Sequence, residues 1–354
     1  MDKIRYPSLN GLRAFSIFFV LFHHLGLRNN IFAGTAGVPW LEQFTVFIRD
    51  GQLGVNVFFV ISGFLITSLL LNEEAETGKI SLKNFYIRRT LRIFPAYYFL
   101  LLVYFVLQRF GVISISDASW ITAITYTKYT NWYTDWYTSH AWSLSIEEQF
   151  YICWPLIFLS GKRIRTIMIL GLMFVVPFLR YYAKTRHIAF MNDLTIFVRI
   201  DAIATGCLFA LYKDLIVKML SPHWAKLFYG AIICLFLLEF IPDVAGNTVM
   251  QYAVIPFATT DGTIANLLIA IILMYSVFGP RKLWFKLLNL KFINYFGLLS
   301  YSLYLWQQFF INDTGQWYTR FPQNIGCIFI VALFSYYVIE RPFNKLKARF
   351  SQNK

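Results

Sequence analysis

The feature that most constrains this chain is a series of apolar stretches, each nearly as long as the hydrocarbon core of a bilayer is thick. A helix needs roughly 20 predominantly apolar residues to cross that core. The stretches that fit lie near 12–27, 53–72, 90–108, 142–159, 166–182, 195–212, 225–241, 262–279, 295–312 and 323–340. The sequence therefore predicts an all-α fold, a polytopic transmembrane bundle of about ten helices.

Composition and charge agree with a membrane protein. Of the 354 residues, 58% are hydrophobic and only 14% are charged, which is too apolar for a soluble core of this size. The net charge of +14 comes mostly from Lys and Arg in segments that would face the cytoplasm if the N-terminus does. This asymmetry predicts that both termini are cytoplasmic, and that the excess charge meets anionic lipid and not nucleic acid.

No linker, repeat or low-complexity segment divides the chain. We expect residues 1–354 to form a single transmembrane domain with no appended soluble domain. The four cysteines stand singly inside apolar stretches, which favours packing over metal binding or disulfide formation. Asn56, Ser62 and Gly63 in the second stretch are predicted to be close-packing residues for helix association.

Aromatic residues crowd the longest outer segment, about 110–141. They are Trp120, Tyr126, Tyr129, Trp132, Tyr133, Trp136, Tyr137 and Trp142. One interpretation is a belt at the membrane interface, where Trp and Tyr are enriched. The other is a platform on which the C–H face of a sugar ring packs.

Ionisable side chains at membrane depth are costly and therefore mark candidate functional sites. Arg13 and His24 are eleven residues apart, which places them on nearly the same face of a helix, about 16 Å from each other. A neutral imidazole can accept and return a proton near neutral pH, which suits a general base acting on a hydroxyl. The alternative is a core histidine that is hydrogen-bonded between helices.

Three arginines, Arg88, Arg89 and Arg92, open the third apolar stretch. Their spacing brings them to neighbouring positions on a helix. Because guanidinium groups bind phosphate oxygens in pairs, the cluster indicates a phosphorylated cofactor that enters from the cytoplasm. Positive-inside anchoring is the alternative.

A polar segment opens the fourth apolar stretch and contains His140, Trp142, Ser143, Ser145, Glu147 and Glu148. Ser145 followed by Glu148 is typical of a capping box at the start of a helix. Alternatively, one carboxylate pairs with His24 and orients its ring, as a third group does in nucleophile–base arrangements. That pairing requires the first and fourth helices to touch.

Two further segments carry weaker signals. Arg199 and Asp201 lie at the outer mouth of the sixth stretch on different faces of the helix, so each needs its own partner. Glu340 and Arg341 precede Pro342, and we interpret them as the point where the last helix stops.

The sequence contains no P-loop, dinucleotide fingerprint, nucleophile elbow, zinc-protease motif or Cys-rich metal site. Direct transfer from a bound activated donor is therefore a simpler expectation than a metal or nucleotide mechanism.

With these residues in this order, the chain resembles the acyltransferase-3 family of integral membrane acyltransferases. The resemblance covers nearly the whole chain and includes Arg13 with His24, Arg89 with Arg92, and the runs WSLSIEEQFY, RIDAIATG, SYSLYLW and ERPF. It implies a ten-helix bundle that takes an acyl group, usually acetyl, from cytoplasmic acyl-CoA to an acceptor, often a hydroxyl of a surface glycan. It also implies that His24 is the base, that Arg13 is its partner, and that Arg89 and Arg92 meet the CoA phosphates.

Two positions depart from the pattern of the family. Asn10 stands where many members have Asp, and Gln307 stands where many have His. We expect neither to touch the catalytic residues, so that both bear on the choice of acceptor. Larger members carry an extracytoplasmic esterase-like domain, and this sequence ends at Lys354 without one. We expect the chain to finish the transfer alone or to pass the acyl group to a partner.

Together these observations predict an O-acyltransferase of the bacterial inner (plasma) membrane that uses acetyl-CoA, or another acyl-CoA, and no metal. The expected partners are membrane lipid, a glycan or other hydroxyl acceptor, and a second copy of the chain or a partner acyltransferase. A transporter or translocase of a lipid-linked glycan is the rival, because it would use the same buried charges as a pathway. Haem ligation by a histidine is a more remote alternative.

The predicted roles are catalytic for His24, Arg13, Glu147 and Glu148, donor-binding for Arg88, Arg89 and Arg92, and acceptor-binding for His140, Trp142, Ser143, Ser145, Arg199 and Asp201.

Overall fold

Helices are the only regular elements in the part of the chain that the computed structural model describes, residues 6–29, 31–32, 39–128, 135–185, 196–238 and 262–350. In chain order the α-helices are α1 (Leu9–Asn29), α2 (Pro39–Ile48), α3 (Gly51–Thr77), α4 (Leu82–Arg109), α5 (Asp117–Ile124), α6 (Trp136–Ser139), α7 (Ala141–Phe158), α8 (Gly161–Thr185), α9 (Ile196–Leu211), α10 (Lys213–Leu220), α11 (Trp224–Leu238), α12 (Thr263–Phe278), α13 (Leu283–Leu288), α14 (Lys291–Phe310), α15 (Gln323–Phe334) and α16 (Arg341–Arg349). Two 3₁₀ turns, Ser221–His223 and Trp317–Thr319, and a π-helical segment, Ser335–Glu340, complete the described elements.

The predicted all-helical membrane fold is confirmed. Each predicted apolar stretch overlaps an observed helix. Within the described ranges, five helical runs are long and apolar enough to cross a bilayer: Gly51–Thr77, Leu82–Arg109, Gly161–Tyr182, Lys213–Leu238 and Gln323–Lys347. The number of helices that cross, and the side on which the termini lie, remain predictions.

Helix α1 is held between α3 and α14. On one side, Ser16 donates a hydrogen bond to the backbone oxygen of Gly54, where a Cβ would lie 2.7 Å from the Ser16 carbonyl oxygen. On the other side, Gly297 lies directly against the Asn10 backbone. Because α1 and α14 run in the same direction, the later part of α1 meets the later part of α14. This places His24 against Gln307.

The second close contact joins α3 and α9. A Cβ on Gly63 would lie 2.0 Å from the Ile203 carbonyl oxygen, and a Cβ on Gly206 would lie 2.1 Å from the Val60 carbonyl oxygen. No side chain fits between backbones this close. Of the three residues predicted to pack closely, Gly63 lies at this crossing, whereas the Ser62 hydroxyl donates to Glu147 at 2.8 Å.

The bundle has two chemically different ends. At the first, which we call the basic end, α3 finishes and α4 begins. There Arg88 pairs with Glu73 at 2.6 Å, and Arg165 binds Glu74 through two nitrogens at 2.7 and 2.9 Å. Arg88 also donates to the carbonyl oxygen of Phe350, so the last described residues return to this end. At the opposite end, which we call the histidine end, α1 finishes and α7 begins.

The interpretation of Glu340–Pro342 as a helix stop is wrong. The chain remains helical through the π-helical segment and continues as α16 to Arg349. Pro342 occupies the second position of α16, near a helix start, where a missing N–H removes little. The π-helical segment also turns Glu340 inward, where it is buried and accepts a hydrogen bond from Ser302.

Candidate active site

His24 is held between two amide side chains of α14. Its Nδ1 lies 3.1 Å from Oε1 of Gln307, and its Nε2 lies 3.4 Å from Nε2 of Gln308. An amide oxygen only accepts and an amide nitrogen only donates, so these contacts assign the neutral ring with its proton on Nδ1. The lone pair of Nε2 is then the basic group of the ring.

Gln308 links this ring to a second histidine. Its Oε1 accepts from Nδ1 of His140 at 2.5 Å and from the His140 backbone N–H at 3.1 Å. The His140 ring is buried, and its Nε2 makes no hydrogen bond within the part of the chain that the structure describes. Trp136 contacts both Gln308 and His24. Its indole N–H donates to the Gln308 backbone oxygen at 2.8 Å, and its ring meets the His24 ring edge-to-face with centroids 5.6 Å apart.

The polar segment after His140 is built into α7. Ser143 donates to the hydroxyl of Tyr304 at 2.6 Å, and Tyr304 donates to the His140 carbonyl oxygen at 2.7 Å. Trp142 packs edge-on against Phe59 of α3 at 6.1 Å. These contacts fix the position of His140 at the start of α7.

The capping-box interpretation of Ser145 and Glu148 is wrong. Helix α7 begins at Ala141, so Ser145 is already inside the helix. Its hydroxyl donates to the Ala141 carbonyl oxygen at 2.9 Å and accepts from the backbone N–H of Lys128 at 3.2 Å. Glu148 is therefore an interior helix residue, and its carboxylate is directed into the bundle, where it is 7% exposed.

A group of six ionisable side chains lies toward the basic end from the histidines. We call it the charge cluster, and it comprises Arg13, Arg89, Arg92, Glu147, Glu148 and Glu340. Each member interacts electrostatically with at least one member of opposite charge. Three cations and three anions balance formally, as burial in an apolar bundle requires.

Within the charge cluster, two groups keep unused hydrogen-bonding capacity. Arg89 lies with its guanidinium 4.7 Å from the Tyr151 ring centroid, and one of its terminal nitrogens has no hydrogen-bond partner among the described residues. Oε1 of Glu148 likewise has no hydrogen-bond partner within the described ranges. Glu147 is better satisfied, since it accepts from Ser62 at 2.8 Å and from Tyr151 at 3.4 Å. Arg88 lies apart from this cluster, because Glu73 and Phe350 engage it at the basic end.

The predicted pairing of a glutamate with His24 is not found. The carboxylates of Glu147 and Glu148 lie with Arg13 and Arg89, and Arg13 is about 16 Å from His24 along α1. Amide groups take the place of the expected carboxylate.

Sequence reasoning also missed three residues of the site. Gln307 was expected to lie away from the catalytic residues, and it contacts His24 directly. Gln308 and Glu340 were not predicted to take part. Their polarity at membrane depth was the available signal.

Asp201 is fully buried and has its own partners. Its carboxylate pairs with Arg180 at 3.0 Å and accepts from Thr263 at 2.6 Å and Asn266 at 3.2 Å. It thereby joins α8, α9 and α12. Arg199 is partly exposed two residues earlier on α9. The acceptor contacts predicted for these two residues remain predictions.

Some aromatic residues of the outer segment pack inside the bundle, and others lie outside the described residues. Tyr126 is buried against Tyr97, with ring centroids 4.6 Å apart, and Trp120 donates to Gln108 at 3.0 Å. Both belong to the helix packing, and Trp136 alone contacts His24 among the described members of this segment. Tyr129, Trp132 and Tyr133 lie outside the described residues.

The ion pair between Lys128 and Asp135, at 3.0 Å, flanks the undescribed part of the outer segment. Burial lowers the pKa of Lys128, while the charge of Asp135 and the hydrogen bond to it act in the opposite direction. Across the described ranges, no three His, Cys, Asp or Glu side chains converge to hold a metal ion.

Comparison with known proteins identifies the family. The acyltransferase domain model of the acyltransferase-3 family matches residues 6–341. The O-acetyltransferase OatA of Staphylococcus aureus (strain NCTC 8325 / PS 47) is 31% identical over 98% of this chain. A putative O-acetyltransferase of S. aureus (strain COL) is 31% identical over 97% of it. The chain spans 58% of the length of each of these relatives. No solved structure is significantly similar. The family match and the apolar helices lead to one conclusion: this chain is a membrane protein that belongs to the acyltransferase-3 family.

Proposed function

We propose that the protein transfers an acyl group, in the first instance acetyl, from acyl-CoA to a hydroxyl of an extracytoplasmic glycan. The observation that carries the proposal is the setting of His24: Nδ1 donates a hydrogen bond to Gln307, so Nε2 carries the lone pair of the ring, and the amide of Gln308 approaches that lone pair only at 3.4 Å, a long contact that an acceptor hydroxyl can replace. The names of the relatives, which are O-acetyltransferases, support acetyl transfer to oxygen. A bacterial inner membrane is the location that we propose with it.

In this mechanism Nε2 of His24 accepts the proton of the acceptor hydroxyl. The hydroxyl oxygen attacks the thioester carbonyl carbon, the C–S bond breaks, and the CoA thiolate leaves. The imidazolium then returns its proton to the thiolate, so that ester and free CoA are the products. Gln307 acts as a positioning residue, because its oxygen stabilises the Nδ1–H form of the ring and fixes its direction.

The charge cluster is the proposed binding site for the donor. The unused nitrogen of Arg89 supports a contact to a CoA phosphate, with Arg92 and Arg13 nearby. Glu147, Glu148 and Glu340 interact electrostatically with these arginines and help to hold them in place. From the level of Arg13 the thioester must reach about 16 Å along α1 to His24, which suits the long pantetheine arm. Arg88 contributes less, since its two terminal nitrogens already donate to Glu73 and to the Phe350 carbonyl oxygen.

The acceptor would approach from the histidine end, where His140 presents a buried Nε2 without a partner in the described part of the chain. Ser143, Ser145 and Trp142 support this approach indirectly, by fixing the start of α7. Either this chain completes the transfer, or it passes the acyl group to a partner acyltransferase on that side.

The first test replaces His24 and uses its neighbour as a matched control. His24→Ala removes the base, and we expect acetyl transfer from labelled acetyl-CoA to fall by roughly 100-fold or more. His23→Ala should retain activity within a few-fold, because the His23 ring makes its hydrogen bond to the Arg49 backbone oxygen, at 2.7 Å, and meets the His24 ring only edge-to-face, with centroids 5.3 Å apart. The measurement is label incorporation by purified, membrane-inserted protein.

Normal transfer by folded His24→Ala protein would overturn the base assignment. Movement of a lipid-linked glycan across the membrane with no covalent product would instead support a translocase.

A further inference from the structure

An open cleft of about 370 Å³ lies at the histidine end, beside the site described above. It is formed where α4 ends, by α6, by the end of α14, and by the loop that follows α14. Its lining includes three aromatic residues, Tyr137, Phe309 and Tyr318, and three polar residues, Asn312, Thr314 and Gln316. The volume falls in the range of about 300–1,000 Å³ that is usual for small-molecule sites.

The aromatic residues form a wall with flat faces. The rings of Phe309 and Tyr318 are parallel within 3°, with centroids 6.1 Å apart, and the Tyr137 ring lies 6.4 Å from that of Phe309. All three are partly exposed. Faces of this kind pack against the C–H face of a sugar ring, and the tyrosine hydroxyls can hydrogen-bond at its edge.

The remaining lining is uncharged: Gly111, Val112 and Ile113 are apolar, and Asn312, Thr314 and Gln316 are polar. Asn312 Oδ1 accepts from the backbone N–H of Thr314 at 3.0 Å and from its hydroxyl at 2.6 Å, which fixes the shape of the loop. Gln316 adds an exposed amide. Among the described lining residues there is no Lys, Arg, Asp or Glu, so the chemistry favours a neutral ligand that carries hydroxyl groups.

Two connections relate the cleft to His24. Tyr137 follows Trp136, whose ring contacts the His24 ring at 5.6 Å. The loop after α14 is tied to α1 through the ion pair between Asp313 and Arg28. Arg28 lies one helical turn beyond His24 on the same face, with its guanidinium 4.1 Å from the Trp136 ring centroid.

We propose that this cleft binds a neutral sugar ring of the glycan acceptor, next to the ring that is acylated. The inference rests on the proposed function, because it assigns the cleft to the acceptor of that reaction. A ring held on Tyr318 and Phe309 would direct its neighbour toward Trp136 and Nε2 of His24. The enzyme would then prefer oligosaccharides to single sugars.

The test measures binding separately from catalysis. The full chain in lipid nanodiscs is titrated with chitotetraose and with maltotetraose by calorimetry, and acetyl transfer is compared for each tetrasaccharide and its single-sugar unit. We expect Tyr318→Ala and Gln316→Ala each to weaken tetrasaccharide binding by about tenfold, the loss of one good contact. The KM for acetyl-CoA should stay unchanged, and Tyr318→Phe, which keeps the ring face, should bind nearly as well as the natural protein.

Trp317→Ala is the matched control, because Trp317 precedes Tyr318, is 67% exposed and does not line the cleft. Unchanged tetrasaccharide binding in both Tyr318→Ala and Gln316→Ala would overturn the proposal, as would failure of both tetrasaccharides to bind the natural protein. His24→Ala separates the two proposals, since it should lose transfer and keep tetrasaccharide binding. Transfer by His24→Ala would refute the base assignment. The binding of the tetrasaccharides by the Tyr318 and Gln316 variants would still decide the proposal for the cleft.

Discussion

At the scale of single residues, the site depends on which atoms of the two neighbouring amides face His24. Gln307 offers its oxygen to Nδ1 and Gln308 offers its nitrogen to Nε2, and both contacts stabilise the same neutral tautomer. A carboxylate in the place of Gln307 would do the first task as well. A hydrocarbon side chain there would accept no hydrogen bond from Nδ1, and only the 3.4 Å contact from Gln308 would then favour this tautomer and this orientation of the ring.

Gln307 is therefore expected to act through His24 alone. Gln307→Leu removes the acceptor for Nδ1, and we expect kcat to fall by roughly 10- to 100-fold while the KM for acetyl-CoA stays unchanged. Gln307→Glu restores an acceptor at this position and should recover most of the lost rate. Steady-state kinetics of both variants provide the measurement. Equal losses in the Leu and Glu variants would show that packing, and not the hydrogen bond, is what the position supplies.

His24 could be proposed from the sequence because a titratable ring inside an apolar stretch is recognisable without knowledge of the fold. Its neighbours could not, because contacts between α1 and α14 join residues nearly 300 positions apart. Glu340 shows the same limit. Its position before Pro342 resembles a helix end, and only the π-helical segment reveals that its carboxylate is buried with Ser302.

At the scale of elements, close helix crossings position the site. The contact of α1 with α14 brings His24 to Gln307. The contact of α3 with α9 fixes the position of α3, which packs against the other side of α1. Both crossings depend on glycine, since the Gly297 and Gly206 positions have no space for a Cβ. Small residues at such positions allow backbones to approach closely, which is a main source of helix association in lipid.

Gly206→Ala should accordingly destabilise the bundle. The added methyl group would lie 2.1 Å from the Val60 carbonyl oxygen, so α9 has to move away from α3, at a cost of roughly 1–3 kcal/mol. Thermal unfolding of detergent-purified protein, followed by tryptophan fluorescence, measures the loss. Gly171→Ala is the control, because a Cβ at that position of α8 meets nothing within 4 Å. A midpoint for Gly206→Ala equal to that of the control would contradict the crossing.

The positions of the helices were largely predictable, because apolar length alone marks them. Their exact starts were less so. Ser145 and Glu148 have the spacing of a capping box, yet α7 begins four residues before Ser145 and uses the hydroxyl inside the helix. Local spacing could not distinguish these cases, since the same Ser-x-x-Glu pattern fits a helix start and a helix interior.

At the scale of the whole molecule, the charge cluster and the histidines lie at two different levels along the axis of α1. The cluster is formally neutral and lies toward the basic end, while the histidines and the cleft lie at the other end. This separation fits a donor that enters from one side of the membrane and an acceptor from the other. It requires the basic end to face the cytoplasm, as the distribution of Lys and Arg predicts.

The orientation can be tested with one cysteine at each end of α4. Lys79 is exposed just before α4 at the basic end, and Ser114 is exposed just after α4 at the opposite end. A helix of 28 residues spans about 42 Å, which exceeds the thickness of the hydrocarbon core. In a variant whose four natural cysteines are replaced by serine, Lys79→Cys should react with a membrane-impermeant maleimide only from the cytoplasmic side. Ser114→Cys should react only from the outer side, and both variants should react fully once detergent opens the membrane. Labelling of Lys79→Cys in intact cells would place the proposed donor site on the side that has no acyl-CoA, and the proposed route of the acyl group along α1 would then be excluded.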